Sequence, residues 1–286
     1  QRPGLKKAVI KLDESFSGEG NAIFRYPESE SDQALREQLP RVEFSVPSET
    51  PEAYFERFAS MGGIVEEFID APEKHSPSSQ LRLSPSGEVM AISTHDQILG
   101  GPSGQVFLGC SFPAADGYRL AIQEAGLAIG EVLSNHGVVS RLAIDYLVHR
   151  QGPEEAWKVT ALEINLRMGG TTHPYLALQF LTSGSLDPAT GLFLSPTGHA
   201  KYYRATDNLR SDHYRGLLPE DLVEILTVNK LHYSHGSESG VLFHLIGALS
   251  EFGKIGMTAI ANSHEEVDEL YARTLDVLDR ETQYGR

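Results

Sequence analysis

The sequence predicts an α+β protein with mainly antiparallel sheets, more than one lobe, and a small α/β region at its C-terminal end. Three observations carry that reading. The 286 residues are enough for a substantial core shared between lobes. Short apolar strands recur in pairs joined by turn residues, the pattern of hairpins. Helices with recognisable start and stop signals fall between the pairs.

Residues 8–12 (Ala-Val-Ile-Lys-Leu) form the first strand and residues 22–26 the second. The loop between them, Asp13-Glu14-Ser15-Phe16-Ser17-Gly18-Glu19-Gly20-Asn21, is rich in Gly and Ser. Glycines let backbone N–H groups approach phosphate oxygens closely, and Lys11 adds a point charge at the loop's root. The Walker pattern G-x-x-x-x-G-K-[ST] is absent, and by itself such a loop is also an ordinary hairpin turn. Helices follow at residues 31–39 and 51–61. Thr50 caps the second, Pro51 opens it, Gly62 and Gly63 stop it, and Tyr54, Phe55 and Phe58 make its apolar face. The apolar strand that comes next ends in Glu66 and Glu67 before Phe68, Ile69 and Pro72. It reads as a hinge between lobes or as a strand end with two exposed charges. A hairpin of residues 80–83 and 88–93 turns on Pro85-Ser86-Gly87, and a polar, then glycine-rich run occupies 94–102. Asp116 caps a long helix to Asn135, with Leu120, Ile122, Leu127, Ile129, Val132 and Leu133 inward and Gly137 closing it.

The next two strands hold the candidate chemistry. Residues 141–149 are apolar apart from Asp145 at their centre, residues 150–155 make a turn, and Ala161-Leu162-Glu163-Ile164-Asn165-Leu166-Arg167 follows. Period-two alternation sends Leu162, Ile164 and Leu166 into a core and lines up Glu163, Asn165 and Arg167 on the opposite face. A hairpin centred near Glu154 sets Asp145 opposite Glu163, each nine positions away. Facing carboxylates about 4.5–5.5 Å apart repel one another unless a cation lies between them. Mg²⁺ takes oxygen ligands and commonly bridges carboxylates to phosphates, and Arg offers a planar fork for phosphate charge. Alone, an E-x-N-x-R row reads as a solvated strand face. The carboxylate on the preceding strand makes Asp145, Glu163 and Asn165 a candidate metal nest.

A helix at residues 175–182 follows Gly170-Thr171-Thr172-His173-Pro174. His173 reads first as a structural residue at a helix start and second as a contact to substrate or nucleophile. Residues 183–197 are turn-rich, and Arg204, Arg210, His213 and Arg215 read as a solvated loop, or else as a receiver for a substrate carboxylate. A helix at 219–228 and strands at 240–247 and 254–260 precede a capping box, Ser263-His264-Glu265-Glu266. That box opens a final helix burying Val267, Leu270, Tyr271, Leu275 and Leu278.

Composition narrows the function classes. A net charge of −15 argues against a nucleic-acid duplex as partner, because displacing counterions takes a basic surface. Cys110 is the lone cysteine, which excludes a disulfide framework and a cysteine zinc site; its apolar neighbours read as a buried strand. No signal peptide and no apolar stretch of spanning length is present, so the expected location is cytoplasmic, with no membrane partner. The chain starts at Gln1 and enters a strand almost at once, so an N-terminally truncated form is expected.

A strand Lys with a glycine flap, an acidic strand end, a long helix, an Asp-bearing strand and E-x-N-x-R, in that order, resemble the ATP-grasp ligases. The match runs from Lys11 to about Leu181. Ser93-Thr94-His95-Asp96-Gln97 and Gly240-Val241-Leu242-Phe243-His244-Leu245-Ile246-Gly247 look closer still to the pheganomycin-type peptide ligases with their own C-terminal domain. The resemblance implies an ATP-grasp fold in which two α+β lobes grip ATP. The lobes would be residues 1–72, incomplete at the N-terminus, and 73–184 with the metal site; 185–286 would be a ligase-associated region. Lys11 would contact the nucleotide phosphates, with Ser17, Gly18, Gly20 and Asn21 covering them. Glu66 and the backbone around Phe68 and Ile69 would meet adenine, and Glu73 falls where some relatives bind ribose. Asp145, Glu163 and Asn165 would ligate Mg²⁺, and Arg167 would face the transferring phosphoryl group. The expected activity is ATP- and Mg²⁺-dependent joining of a carboxylate to an amine, small-molecule or peptide, through an acyl-phosphate. A nucleotide-binding module without turnover and an ATP-dependent phosphotransferase share the same residues, and a homo-oligomer stays open.

Overall fold

The computed structural model describes residues 4–15, 20–29, 31–100, 104 and 106–284; Ser17 and Gly18 of the flap lie outside the described residues. The chain divides into two compact units, residues 1–71 with 99–107, and residues 72–98 with 108–286.

The first unit is built on four antiparallel strands in the order β3-β2-β1-β4. In sequence these are β1 (Lys7–Leu12), β2 (Asn21–Arg25), α1 (Asp32–Gln38), β3 (Glu43–Phe44), α2 (Pro51–Met61) and β4 (Gly63–Glu67). Alternation along β1 buries Ala8, Ile10 and Leu12, and Phe24, Val42 and Tyr54 complete the core. α2 has the predicted limits. Thr50 Oγ1 accepts from the Ala53 N–H at 3.3 Å, and Gly62 closes the helix at φ +88°. The buried Tyr54 hydroxyl donates to the carbonyls of Ile10 (3.1 Å) and Gly20 (2.9 Å), which ties α2 to the root of the Gly/Ser loop. Burial pushes this phenol up to about 12.

The second unit carries an eleven-stranded sheet. Its elements are β5 (Glu73–His75), β6 (Pro77–Leu83), most of β7 (Val89–Gly100) and of β8 (Val106–Phe112), α3 (Arg119–Asn135), β9 (Ser140–Arg150) and β10 (Lys158–Asn165). There follow α4 (Thr172–Thr182), β11 (Ser185–Asp187), β12 (Leu192–Leu194), β13 (Ala200–Arg210), α5 (Pro219–Val228), β14 (Gly240–His244), α6 (Leu249–Phe252), β15 (Lys254–Ala261) and α7 (His264–Tyr284). The main path runs β10-β9-β6-β7-β8-β13-β12-β11, with β15 on β13, β14 on β15 and β5 on β9.

Several elements differ from the sequence expectation. α3 opens at Arg119, and Asp116 serves as the ion-pair partner of Arg119 at 2.5 Å instead of capping the helix. Its buried face centres on Ile122, Gly126 and Gly130, leaving Leu120 and Val132 exposed. The two glycines make a bare i, i+4 ridge that lets the helix lie close to the sheet. A Cβ on Gly126 would stand 2.5 Å from Ser79 Oγ, and one on Gly130 would stand 2.7 Å from Val89 Cγ1. The polar run at 94–100 continues β7, and the supposed loop around Arg204 and Arg210 is strand β13. Arg204 pairs with Asp268 at 2.8 Å and stacks over the Tyr271 ring. Polar residues hide a strand from a reading that follows apolar alternation. The C-terminal helix does follow expectation: Ser263 Oγ accepts from the Glu266 N–H at 3.1 Å, and Val267, Tyr271 and Leu278 are buried.

Lys201 of β13 is fully buried. Its ammonium meets Glu238 and Asn262 Oδ1, each at 2.5 Å, and so fastens the loop before β14 to the sheet.

Candidate functional site

In the second unit β9 and β10 pair antiparallel, with Asp145 opposite Glu163 and Ala143 opposite Asn165. A bulge sets this register. Ala161 faces Tyr146, but the next paired residue is Glu163, so Leu162 is the extra residue. β10 is the edge strand of the sheet path. Leu162, Ile164 and Leu166, expected in a core, are 37%, 45% and 52% exposed. Their exposure places these three residues outside the cores of the second unit.

Asp145 is the best-held side chain of the group. Gln97 Nε2 donates to its Oδ1 at 2.9 Å, and Asn165 Nδ2 donates to its Oδ2 at 3.0 Å. Burial, then the facing Glu163 carboxylate, push Asp145 up to about 6, against the opposing pull of Asn165, Arg167 and Gln97. Because the Asn165 amide nitrogen is turned to Asp145, its oxygen is the atom left for another partner. Two carboxylates and an amide oxygen are hard donors of the kind Mg²⁺ takes, and a raised carboxyl pKa beside a second carboxylate is what a cation would relieve. The donor set fits Mg²⁺. Among the described residues no cluster of three or more His, Cys, Asp or Glu side chains is arranged for a metal, so a softer, nitrogen- or sulfur-rich centre has no counterpart there.

Arg167 lies just past β10. Its N–H donates to the Asn165 carbonyl at 2.8 Å, which turns the chain, and its side chain is exposed. The Gly169 N–H then bonds Thr172 Oγ1 at 3.2 Å, leading into α4.

In the first unit, Lys11 Nζ lies 2.5 Å from Glu66, an ion pair across the β1–β4 ladder in which Val9 is the residue directly opposite Glu66. Asn21 stands opposite Lys11 on β2. Gly20 is packed so tightly that a Cβ would fall 2.3 Å from Ser15 Cβ. The Phe68 N–H donates to the Lys7 carbonyl at 3.3 Å, the Lys7 ammonium lies 5.0 Å from the Phe68 ring centre, and Ile69 is half-buried. Glu73 belongs to the second unit. Arg150 holds its carboxylate through Nε at 2.7 Å and Nη2 at 2.6 Å, with the guanidinium stacked 4.4 Å from the Trp157 ring centre.

The structure thus groups Asp145, Glu163 and Asn165 in one unit and Lys11, Glu66 and Asn21 in the other. Gln97 is the residue that sequence reasoning passed over. Its signal was the alternation Thr94, Asp96 against His95, Gln97. Asp96 accepts from the Ala115 N–H and the Tyr118 hydroxyl, whereas Gln97 reaches Asp145.

Residues 45–189, just over half of the chain, match the family described as IQCH-like, ATP-grasp. The chain belongs to the ATP-grasp family. Residues 221–274 also match the PGM1 C-terminal domain. This ATP-grasp chain is 34% identical over 227 residues to L-propargylglycine--L-glutamate ligase of Streptantibioticus cattleyicolor, covering 79% of the chain and 45% of that protein. It is 23% identical over 137 residues to IQ motif-containing protein H of Danio rerio, covering 48% of the chain and 13% of that protein. The chain therefore spans less than half the length of these curated relatives. Among solved structures, the biotin carboxylase domain of Hydrogenobacter thermophilus 2-oxoglutarate carboxylase aligns with a TM-score of 0.59 at 12% identity, over 94% of this chain and 56% of that one. Carboxyaminoimidazole ribonucleotide synthase from Aspergillus clavatus, complexed with ATP, aligns with a TM-score of 0.51 at 14% identity, over 96% of this chain and 62% of that one. At such identities the likeness speaks for a shared fold.

Proposed function

We propose that this chain is, or is the core of, an ATP- and Mg²⁺-dependent ligase that joins a carboxylate to an amine through an acyl-phosphate. The observation that carries the reading is Asp145 facing Glu163, with Asn165 turned onto Asp145. Mg²⁺ held by these three groups would neutralise the charge of the ATP phosphates. Lys11 keeps donors beyond the one given to Glu66, and these are assigned to phosphate oxygens, together with the backbone of Gly20 and Asn21 and the flap residues Ser17 and Gly18. Glu66 and the backbone at Phe68 and Ile69 are assigned to adenine, and Glu73 to ribose, with Arg150 setting its orientation.

A carboxylate resists attack by an amine because neither oxygen can leave. Transfer of the γ-phosphoryl forms an O–P bond to the substrate carboxylate and breaks the bond to ADP. The amine then forms the C–N bond as phosphate departs. Such transfer depends on positioning and charge neutralisation, and the exposed Arg167 guanidinium is suited to the charge spread over the moving phosphoryl oxygens. No protein nucleophile is needed, in keeping with Cys110, whose thiol is buried and pushed up by that burial.

The ligase from Streptantibioticus cattleyicolor joins two amino acids by its name, so amino acids and short peptides are the acid and amine classes assigned here first. Residues 185–286, which include the PGM1 C-terminal domain match, are assigned to substrate choice. We assign it to the cytoplasm, a compartment that supplies the ATP such a synthesis consumes. The test is ADP and phosphate release from Mg·ATP with a panel of amino acids, each offered as acid and as amine. ADP and amide in equal amounts, abolished by EDTA, are expected. A chain that makes no ADP and shows no shift in melting with Mg·ATP overturns the reading.

A further inference from the structure

Separate elements of the second unit bring the rings of His173 and His244 together and set Asp207 in the same row across the sheet as His244. The rings of His173, in the first turn of α4, and His244, at the end of β14, lie 4.3 Å apart edge to face. His244 stands opposite Gly256 on β15, and a Cβ at Gly256 would come within 2.1 Å of the His244 ring. Only glycine admits the ring there. At the same level β13 bulges. Its register steps from Thr206 opposite Met257 to Leu209 opposite Ile255, which leaves Asp207 and Asn208 both across from Gly256. Bulges re-aim side chains and are common beside active sites. The Asp207 charge opposes the burial that lowers the pKa of the His173 imidazole.

The His244 ring shows which kind of group the cluster receives. A hydrogen bond to the Thr206 backbone favours its charged form, while burial first and His173 second push it down to about 4. A bond favouring the charged ring is one in which the ring donates. Nε2 is buried and has no hydrogen-bond partner among the described residues, so the donor is Nδ1 and Nε2 keeps its lone pair. A carboxylate and two neutral imidazoles are acceptors, which suits a group rich in N–H. His173 is packed on one side by the His244 ring but keeps a solvent-exposed part, and is therefore reachable. It follows Arg167 through the short turn closed by the Gly169–Thr172 bonds.

Resting on the ligase reading above, we propose that His173, His244 and Asp207 form the subsite for the amine nucleophile, with His173 as the base that takes its proton. Asp207 attracts the ammonium form. An imidazole nitrogen of His173 takes one proton and frees the nitrogen lone pair, which forms the C–N bond while the C–O bond to phosphate breaks. The second N–H proton, made acidic by that bond, leaves with the phosphate.

Hydroxylamine separates this step from the rest. It is already a free base at neutral pH, so it captures an acyl-phosphate as a hydroxamate without needing a base from the protein. The full chain is given Mg·ATP and the amino-acid pair that the unaltered protein joins, with and without hydroxylamine. In His173→Asn the ratio of amide to hydroxamate is expected to fall about 100-fold, the scale of a lost general base, and in Asp207→Asn to fall by less. KM for the amine is expected to rise in Asp207→Asn while KM for ATP stays. An unchanged ratio, whether both products persist or both fall together, overturns the subsite while leaving the ligase reading in place. An unaltered protein that makes neither product overturns both.

Discussion

Burial and the facing Glu163 raise the Asp145 carboxyl to about 6, against an ordinary value of 3.8. A carboxyl raised in the folded state contributes stability that is fully present below pH 3.8 and is lost as pH rises through about 6. The shift corresponds to ~3 kcal/mol of repulsion and desolvation at neutral pH. Asp145→Asn removes that charge but sets an amide nitrogen against one of the two amide donors, a loss of about 1 kcal/mol. Without metal, Asp145→Asn is therefore expected to melt above the unaltered protein at about pH 8, by about 1–2 kcal/mol, and to lose that advantage near pH 4. Thermal melts in EDTA across this range check it, and a variant less stable at both ends contradicts the account. Gln97 acts on the same carboxylate from outside. Gln97→Leu deletes the donor to Oδ1, and removing such a partner of a metal-ligating group commonly costs 10–100-fold in metal affinity. The Mg²⁺ concentration for half-maximal ADP release is expected to rise by about that factor, with KM for amino acids unchanged.

At the scale of elements, the clamp on β13 offers a sharper stability test than any apolar contact. Lys201 is wholly buried, and Glu238, held at about 2 chiefly by the Lys201 hydrogen bond, also accepts from Ser195 and Thr197. Breaking one partner of a fully buried pair costs about 3–5 kcal/mol, and Lys201→Met is expected below that range because Glu238 is only part-buried and keeps its hydroxyl donors. A depressed carboxyl gives stability above pH 4.5 that is lost as pH falls towards 2, so the variant should also lose this acid dependence. Urea unfolding at neutral and acid pH measures both. Elements differ in how far their residues announced them. Thr50, Pro51 and Gly62 fixed α2 because capping is local chemistry. The spacing about Glu154 anticipates Asp145 opposite Glu163, but the register nearest the turn, Lys158 with His149, would set Asp145 opposite Leu162; the bulge at Leu162, which no spacing encodes, restores the pair. The buried face of α3 was hidden, since its centre is two glycines that carry no hydrophobic signal. β13 was hidden by its polar alternation, and the apolar face of β10 was misplaced because an edge strand's cover depends on what lies beyond it.

Over the whole molecule, family membership rests on residues 45–189, and the order of its motifs was legible from Lys11 to Arg167. The parts that were not legible are contacts between strands far apart in sequence: Gln97 on Asp145, Lys11 on Glu66, and the Asp207 bulge beside His244. Each depends on which strands become neighbours, and no local pattern encodes that. The acidic balance of −15 gives triphosphate recognition little help from the surface at large, so the cation and the few basic groups of the site must carry it. Calorimetric titration of ATP into the full chain, in Mg²⁺ and in EDTA, for the unaltered protein and Glu163→Gln, tests this most directly. Binding that requires Mg²⁺ and weakens at least about tenfold in Glu163→Gln is predicted. Binding of equal strength in the two proteins, or binding indifferent to Mg²⁺, would contradict the account.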